Sequence, residues 1–361
     1  MLTGVHPAIA QVTNLGIAIA GGQSLLYWPA SPTNYILQST TNLASPNWTT
    51  EKYPVPVPAS TVSNNTPAKF FRLIYTNPPV GMVLIPAGPF LIGNSIGDGD
   101  IMDANPTNVY VSAFFMDVNL VTSNQWAAVY SYATGNGYNF DDAGAGKTAS
   151  DPVQTVNWYD CVKWCNARSQ QAGLTPVYYT DTNLTQVYTT GDTDAVYPNW
   201  SASGFRLPTE AEWEKAARGG LSGRRFPWGN LISESQANYN GDTNDYSYDL
   251  GPNGYNSIGS IGGTSPATSP VGSFDVNGYG LYDMAGNVEE WCWDWYAGLP
   301  YPTGSPYLGG SNPTGATTGS YRILLGGCWN DNANFARCAF RYLNSPNNAY
   351  GSLGFRCARG L

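Results

Sequence analysis

Asn277-Gly-Tyr-Gly-Leu-Tyr-Asp-Met-Ala-Gly-Asn-Val-Glu-Glu-Trp291 is the stretch from which the rest of this chain is best read. Asp283 and Glu290 carry side-chain oxygens, while Gly286 and Val288 offer backbone carbonyls on a turn that Gly286-Asn287 permits. Two carboxylates with loop carbonyls suit calcium, which takes six to eight oxygens in a flexible shell; zinc prefers His and Cys. The alternative is a plain turn whose acids face water.

Working outward, the same chain contains Met82-Val-Leu-Ile-Pro-Ala-Gly88, Phe205-Arg-Leu-Pro-Thr-Glu-Ala-Glu-Trp-Glu214, Phe226-Pro-Trp-Gly-Asn230, Gly326-Gly327 and Gly354-Phe-Arg356. In this order, over roughly residues 80 to 361, the set resembles the formylglycine-generating enzyme family of sulfatase modifiers. The resemblance implies an α+β fold, a variant of the C-type lectin fold with little regular secondary structure and with bound calcium. It places one calcium site on Asp283, Gly286, Val288 and Glu290, and another on Asn238 and the Tyr239 carbonyl, with Asp249 as the acid expected after an insertion. Six cysteines allow fifteen pairings, and the resemblance implies one of them, Cys165 with Cys357. A bridge closing so long a loop stabilises by roughly 3 to 5 kcal/mol in chain-entropy terms. Metal binding is the rival reading of Cys161 and Cys165, whose spacing puts both thiols on one helical face.

Catalysis in that family depends on two cysteines soon after a Gly-Gly-Ser motif, which bind copper(I) and the substrate thiol; soft thiolates are what copper(I) requires. Here the region reads Gly326-Gly-Cys-Trp-Asn-Asp-Asn-Ala-Asn-Phe-Ala-Arg-Cys-Ala-Phe-Arg341. It is shorter by about three residues than the family pattern, Cys328 replaces the serine, and residues 330 to 335 hold no thiol. Cys338 aligns with a structural cysteine whose usual partner position is Ala217, and Glu289 stands where a tryptophan is expected. We therefore expect neither copper nor the oxidase reaction. The enzymatic alternative is a divergent oxidase in which Cys328 and Cys338 converge on copper.

Composition narrows the function further. Only 11% of the 361 residues are charged, against about a quarter in an average soluble protein. Solubility must rest on Asn, Ser and Thr, which reads as a secreted or surface-displayed protein. A net charge of −9 and no basic patch argue against a nucleic-acid partner, whose phosphates call for clustered Lys and Arg. No apolar run of about 18 residues spans a bilayer, and the N-terminus lacks the basic segment of a signal peptide. His6 is the only histidine, so Ser-His-Asp and Cys-His nucleophile systems and His-ligated zinc are excluded, as are the relatives that hold iron with histidines.

The length suggests two domains. Residues 1–78 read as a small all-β sandwich, with strands at Ser24 to Trp28, Asn34 to Gln38 and Ala68 to Tyr75. Trp28, Tyr35, Trp48, Phe70 and Phe71 are its expected core. Asn77-Pro-Pro-Val80 is a stiff linker, and residues 79–361 form the lectin-like domain. That domain opens with a strand at Met82 to Ile85. Residues 94 to 105, three acids among glycines, lack EF-hand spacing and are expected to be an exposed loop. Helices are predicted from Thr122, capped with Gln125; from Asn157 to about Gln171; and from Thr209, capped with Glu212 and stopping at Gly219-Gly220. The segments 176 to 200 and 239 to 270 read as long ordered loops.

A fold that keeps its calcium turn and framing motifs but loses the reactive thiols retains a surface without a reaction. Between the frames lie Asn330, Asp331, Asn332, Asn334, Phe335, Phe340, Tyr342, Asn344, Asn347, Asn348, Tyr350 and Ser352. These combine adaptable polar groups with rigid rings, a vocabulary antibody paratopes also use. The C-terminal position of the segment is similar to the variable proteins of diversity-generating retroelements. The sequence thus predicts a non-catalytic, calcium-stabilised binding protein with a protein or glycan ligand, and the alternatives are the divergent oxidase and a surface-anchoring module. In a plainer reading, the asparagines only satisfy loop backbone.

Overall fold

The computed structural model describes residues 78–260 and 267–361, together with the backbone of six strands within the first 77 residues. The chain divides into two compact units, Met1–Pro79 and Val80–Leu361. In the first, Gln23–Tyr27 pairs with Gly16–Ala20 and Ala59–Ser63, and Tyr35–Thr40 pairs with Thr49–Lys52 and Phe70–Tyr75. Both sheets are antiparallel. Strands are present at the three places where alternating apolar runs predict them. The expected aromatic core of this unit lies outside the described residues.

The second unit is closed by its own ends. Met82–Ile85 and Ala358–Gly360 both pair with Phe114–Asp117, and Phe205–Arg206 completes this four-stranded antiparallel sheet. A second sheet runs Tyr342–Asn344, Arg322–Leu325, Glu289–Trp295, Leu353–Gly354, with only the last pair parallel. The seven residues Glu289–Trp295 are buried throughout, so the strand that ends the cation turn is also the centre of the domain. Gly88–Ile92, Thr107–Val111 and Gly310–Ser311 form a third sheet.

Three helices begin where side-chain caps predict. In α1, Ser123–Thr134, Thr122 Oγ1 accepts from the Gln125 N–H while Gln125 Oε1 accepts from the Thr122 N–H. Asn157 caps α2, Trp158–Gln171, through the Asp160 N–H, and Thr209 with Glu212 forms a second capping box on α3, Glu210–Ala217. Each box satisfies two of the donors that a helix start leaves open. α2 is buried nearly all round. Its Trp164 stacks on Trp126 of α1 at 5.8 Å, and its Trp158 donates to the Cys292 carbonyl at 2.9 Å.

The acidic segment 94 to 105 is not the exposed loop expected from its composition. Asp98 accepts from both Arg225 and Arg337, Asp100 accepts from Arg337, and Asp103 accepts from Arg341. These arginines lie more than a hundred residues away, so local spacing carries no trace of them. The pairs Arg206–Glu212, Arg218–Glu214, Arg341–Glu210 and Arg356–Glu290 are buried as well. Among the described residues, much of the sparse charge is enclosed within the domain. The long loops are pinned by short ladders, Tyr178–Tyr179 with Tyr197–Pro198 and Asn240–Gly241 with Gly254–Tyr255.

Candidate functional site: the cation turn and the C-terminal face

The turn before Glu290 is built from left-handed backbone. Asp283, Gly286 and Asn287 have φ of 54°, 74° and 72°. Gly286 is required there, because a Cβ would overlap the Asn238 carbonyl as well as strain the chain. The Gly286 N–H donates to the Gly326 carbonyl and the Asn287 N–H to the Asn238 carbonyl, both at 2.8 Å. Asn287 also exchanges side-chain bonds with the Ser269 backbone.

Asp283 and Glu290 are both buried beside this turn. Burial pushes the Asp283 carboxyl up to about 6, against the pull of its bond from the Gly272 N–H. Burial raises Glu290 too, and the Arg356 guanidinium opposes it through bonds of 2.7 and 3.0 Å to its two oxygens. A carboxylate offers about four lone-pair sites, so both retain acceptor capacity after these bonds. Among the described residues no three His, Cys, Asp or Glu side chains converge. A cation here would rest on two carboxylates, loop carbonyls and water, a donor set that fits calcium and not zinc.

The other expected set lies around Tyr239. Asp249 gives its carboxylate to the Tyr239 hydroxyl at 2.5 Å and to the N–H groups of Asp242 and Gly251. The Tyr239 carbonyl accepts from the Asn256 N–H. The Asn238 amide donates to the Ala267 carbonyl and to Asn287. The insertion after Tyr239 thus folds back on the residue it follows, with Asp249 against the Tyr239 ring.

The six cysteines are all buried thiols. Cys165 and Cys357 face each other at 3.6 Å, in contact but short of the roughly 2.05 Å of a bond. The implied pairing is thus placed side by side. Cys161 lies near Cys165 and Cys357 and meets no metal cluster among the described residues. Cys328 and Cys338 occupy different surroundings. Burial raises Cys328 well above its usual value, with Asp331 and Glu289 adding to the effect. Cys338 sits in the apolar core near Arg218 and Glu214, pushed up to about 12 by burial. Thiols buried in this way are poor nucleophiles.

Above Cys328 lies the C-terminal face. Gly326 and Gly327, with φ of 95° and 66°, turn the chain out of Arg322–Leu325. Tyr342 is exposed and lies edge-on to Phe335 at 5.9 Å, and Phe335 packs on Phe340 at 4.8 Å. Trp329 donates to the Gly351 carbonyl beside exposed Tyr350, and meets Tyr255 at 6.2 Å. The Tyr255 hydroxyl bonds Asn330 Oδ1 at 3.1 Å. Tyr255 and Trp329 therefore extend the face beyond the residues chosen from sequence. From sequence, Trp329 reads only as part of the framing Gly-Gly-Cys-Trp motif, and Tyr255 sits in a loop without periodicity and leaves no signal.

Several expected face residues turn inward. Asp331 Oδ2 accepts from the Cys328 N–H, and its carbonyl from the Asn240 N–H. Asn334 accepts from Arg337 through its carbonyl, Asn344 accepts from Ser345 and Asn348 within a turn, and Phe340 packs on the core. Asn332 and Ser352 spend their carbonyls on Phe335 and Glu289 N–H groups. Asn330, Asn347, Tyr342 and Tyr350 are the exposed members.

Asn347 donates to Asp192 at 2.9 Å, tying the face to a neighbouring loop. Burial, then Asp141, pushes Asp192 up to about 6, while Lys163 pulls the other way. A folded-state value above the ordinary 3.8 means the folded chain holds this proton more tightly than the unfolded one. The stability it gives is full below about 4 and is lost as pH rises through about 6. Asp192→Asn should remove this loss, so that the variant gains on the parent between pH 4.5 and pH 7, by less than about 1 kcal/mol for a half-exposed group. Urea melts at both pH values check this; parallel profiles would refute it.

A domain of three short helices, small sheets and long pinned loops, closed by its first and last strands, is of the C-type lectin class. The solved structure of Treponema denticola variable protein 1 shares it, with a TM-score of 0.59 and 30% identity over 82% of this chain and 96% of that one. Residues 71–361 match the sulfatase-modifying factor enzyme 1-like domain, and the chain belongs to that family. The formylglycine-generating enzyme of Thermomonospora curvata is 35% identical over 303 residues, 77% of this chain and 93% of that protein. The serine/threonine-protein kinase pkn1 of Chlamydia caviae is 33% identical over 287 residues, 78% of this chain, and the chain spans only 38% of that kinase.

Proposed function

We propose that this is a non-catalytic binding protein, exported or surface-displayed, that holds calcium at Asp283, Gly286, Val288 and Glu290 and presents its C-terminal face to a protein or glycan. The observation that carries this reading is the exposed cluster of Tyr255, Tyr342 and Tyr350 with Trp329 and Asn330, set on a buried Cys328 that burial keeps protonated. Rings with few rotatable bonds give contact area at low entropy cost, and neighbouring amides adapt their bonds to the partner. The likeness to a variable protein supports a further step, that the exposed positions are diversified.

Sequencing the last hundred or so codons of the gene across a natural population tests this reading without knowledge of the ligand. Substitutions should concentrate at Asn330, Tyr342, Asn347 and Tyr350, whose side chains are exposed, and should spare Asp331, Asn344 and Arg356, which hold the frame. An invariant face, or variation spread equally over frame and face, would end the diversified-receptor reading.

A further inference from the structure

A cleft of about 570 Å³ borders the C-terminal face: Arg322, which lines it, pairs with Asn344, and Asp194 lies two residues from Asp192, the partner of Asn347. Trp200, Trp293, Trp295, Asp194, Thr318 and Arg322 are among the residues that line it. Trp200 stands at its rim, 39% exposed, edge-on to Trp293 at 5.6 Å. A smaller cleft of about 340 Å³ shares Trp200 and Thr314, so the tryptophan separates two connected depressions.

Arg322 is the unusual member. Its side chain is 1% exposed, with the guanidinium between the rings of Trp158 at 3.6 Å and Trp295 at 3.4 Å. Nη1 donates to the Trp293 carbonyl at 2.5 Å, but Nε is buried and has no partner among the described residues. The other buried arginines of this domain, such as Arg206, Arg218, Arg341 and Arg356, have carboxylates. Stacked rings soften the cost of a buried cation without satisfying its donors. The cleft also holds an acceptor, Asp194, which takes a bond from the Tyr159 hydroxyl at 2.6 Å.

We infer that this cleft binds a neutral saccharide, with the exposed ring of Trp200 receiving the apolar face of a pyranose and the unpartnered Nε of Arg322 and the carboxylate of Asp194 bracketing its hydroxyl groups. A sugar hydroxyl donates and accepts at once, so vicinal hydroxyls match a donor and an acceptor held in one cleft, whereas an anionic ligand would meet Asp194. The two depressions on either side of Trp200 give room for more than one sugar unit.

The test uses the full chain on a printed array of neutral and acidic glycans, with titration of any retained glycan by tryptophan fluorescence. We expect neutral glycans to be retained, Trp200→Ala to weaken binding at least tenfold with an unchanged melting temperature, and Asp194→Asn to weaken it as well. Tyr342→Ala/Tyr350→Ala should leave it intact, which separates this site from the C-terminal face. Retention of no glycan, retention of acidic glycans alone, or equal binding by Trp200→Ala and the parent would each overturn the inference.

Discussion

Replacing Arg356 by Met is expected to cost this domain about 3 to 5 kcal/mol, the usual penalty for leaving a buried charge without its partner. Glu290 and Arg356 are both fully buried and joined by two bonds. The same guanidinium also donates to the carbonyls of Tyr282 and Asp283, so it ties the segment leading into the last strand to the turn at Asp283. Urea denaturation in the presence of a chelator should show the loss as a lower midpoint with a similar slope. Arg356→Met/Glu290→Gln should recover part of it, because the second change removes the stranded charge. A loss below about 1 kcal/mol would mean that Glu290 is neutral in the folded chain and that the pair contributes little.

The second large effect concerns Gly286. Alanine there meets both the left-handed backbone and the Asn238 carbonyl, which together should cost on the order of 3 kcal/mol. The calcium reading adds a sharper expectation. Calcium at about a hundred times its dissociation constant should stabilise the parent chain by about 2.7 kcal/mol, since only the folded state assembles the ligands. Asp283→Ala, which leaves the turn its glycine, should lose this increment, and Gly286→Ala should lose it too. Differential scanning calorimetry with calcium and with chelator reads both. A parent melting curve that does not move with calcium would remove the cation from the account of Asp283 and Glu290.

Much of the fold was legible because its signals are local. Thr122 with Gln125, Asn157, and Thr209 with Glu212 mark helix starts within four residues of one another, and the structure uses all of them. What stayed hidden is long-range. Asp98 finds its arginines 127 and 239 residues away, and no periodicity encodes that. The C-terminal face was legible as a segment but not residue by residue. Asp331 and Asn344 are polar residues of one Asn-rich segment, like Asn330 and Asn347, and only the folded backbone sets the first two against the N–H groups of Cys328 and Ser345. The cysteine pairing came from family resemblance, and the structure brings the thiols of Cys165 and Cys357 into contact.

The enclosure of so many arginines has a kinetic side. Among the described residues Arg206, Arg218, Arg341 and Arg356 are spent on internal carboxylates, so they do little to offset the net charge of −9 outside. The field that remains is acidic and favours cationic over anionic partners at low salt, and added salt screens it. Discrimination between partners then falls to how long each stays, which rests on rings and amides in direct contact. A surface of that kind can change its side chains one at a time without disturbing an electrostatic field shared by the rest.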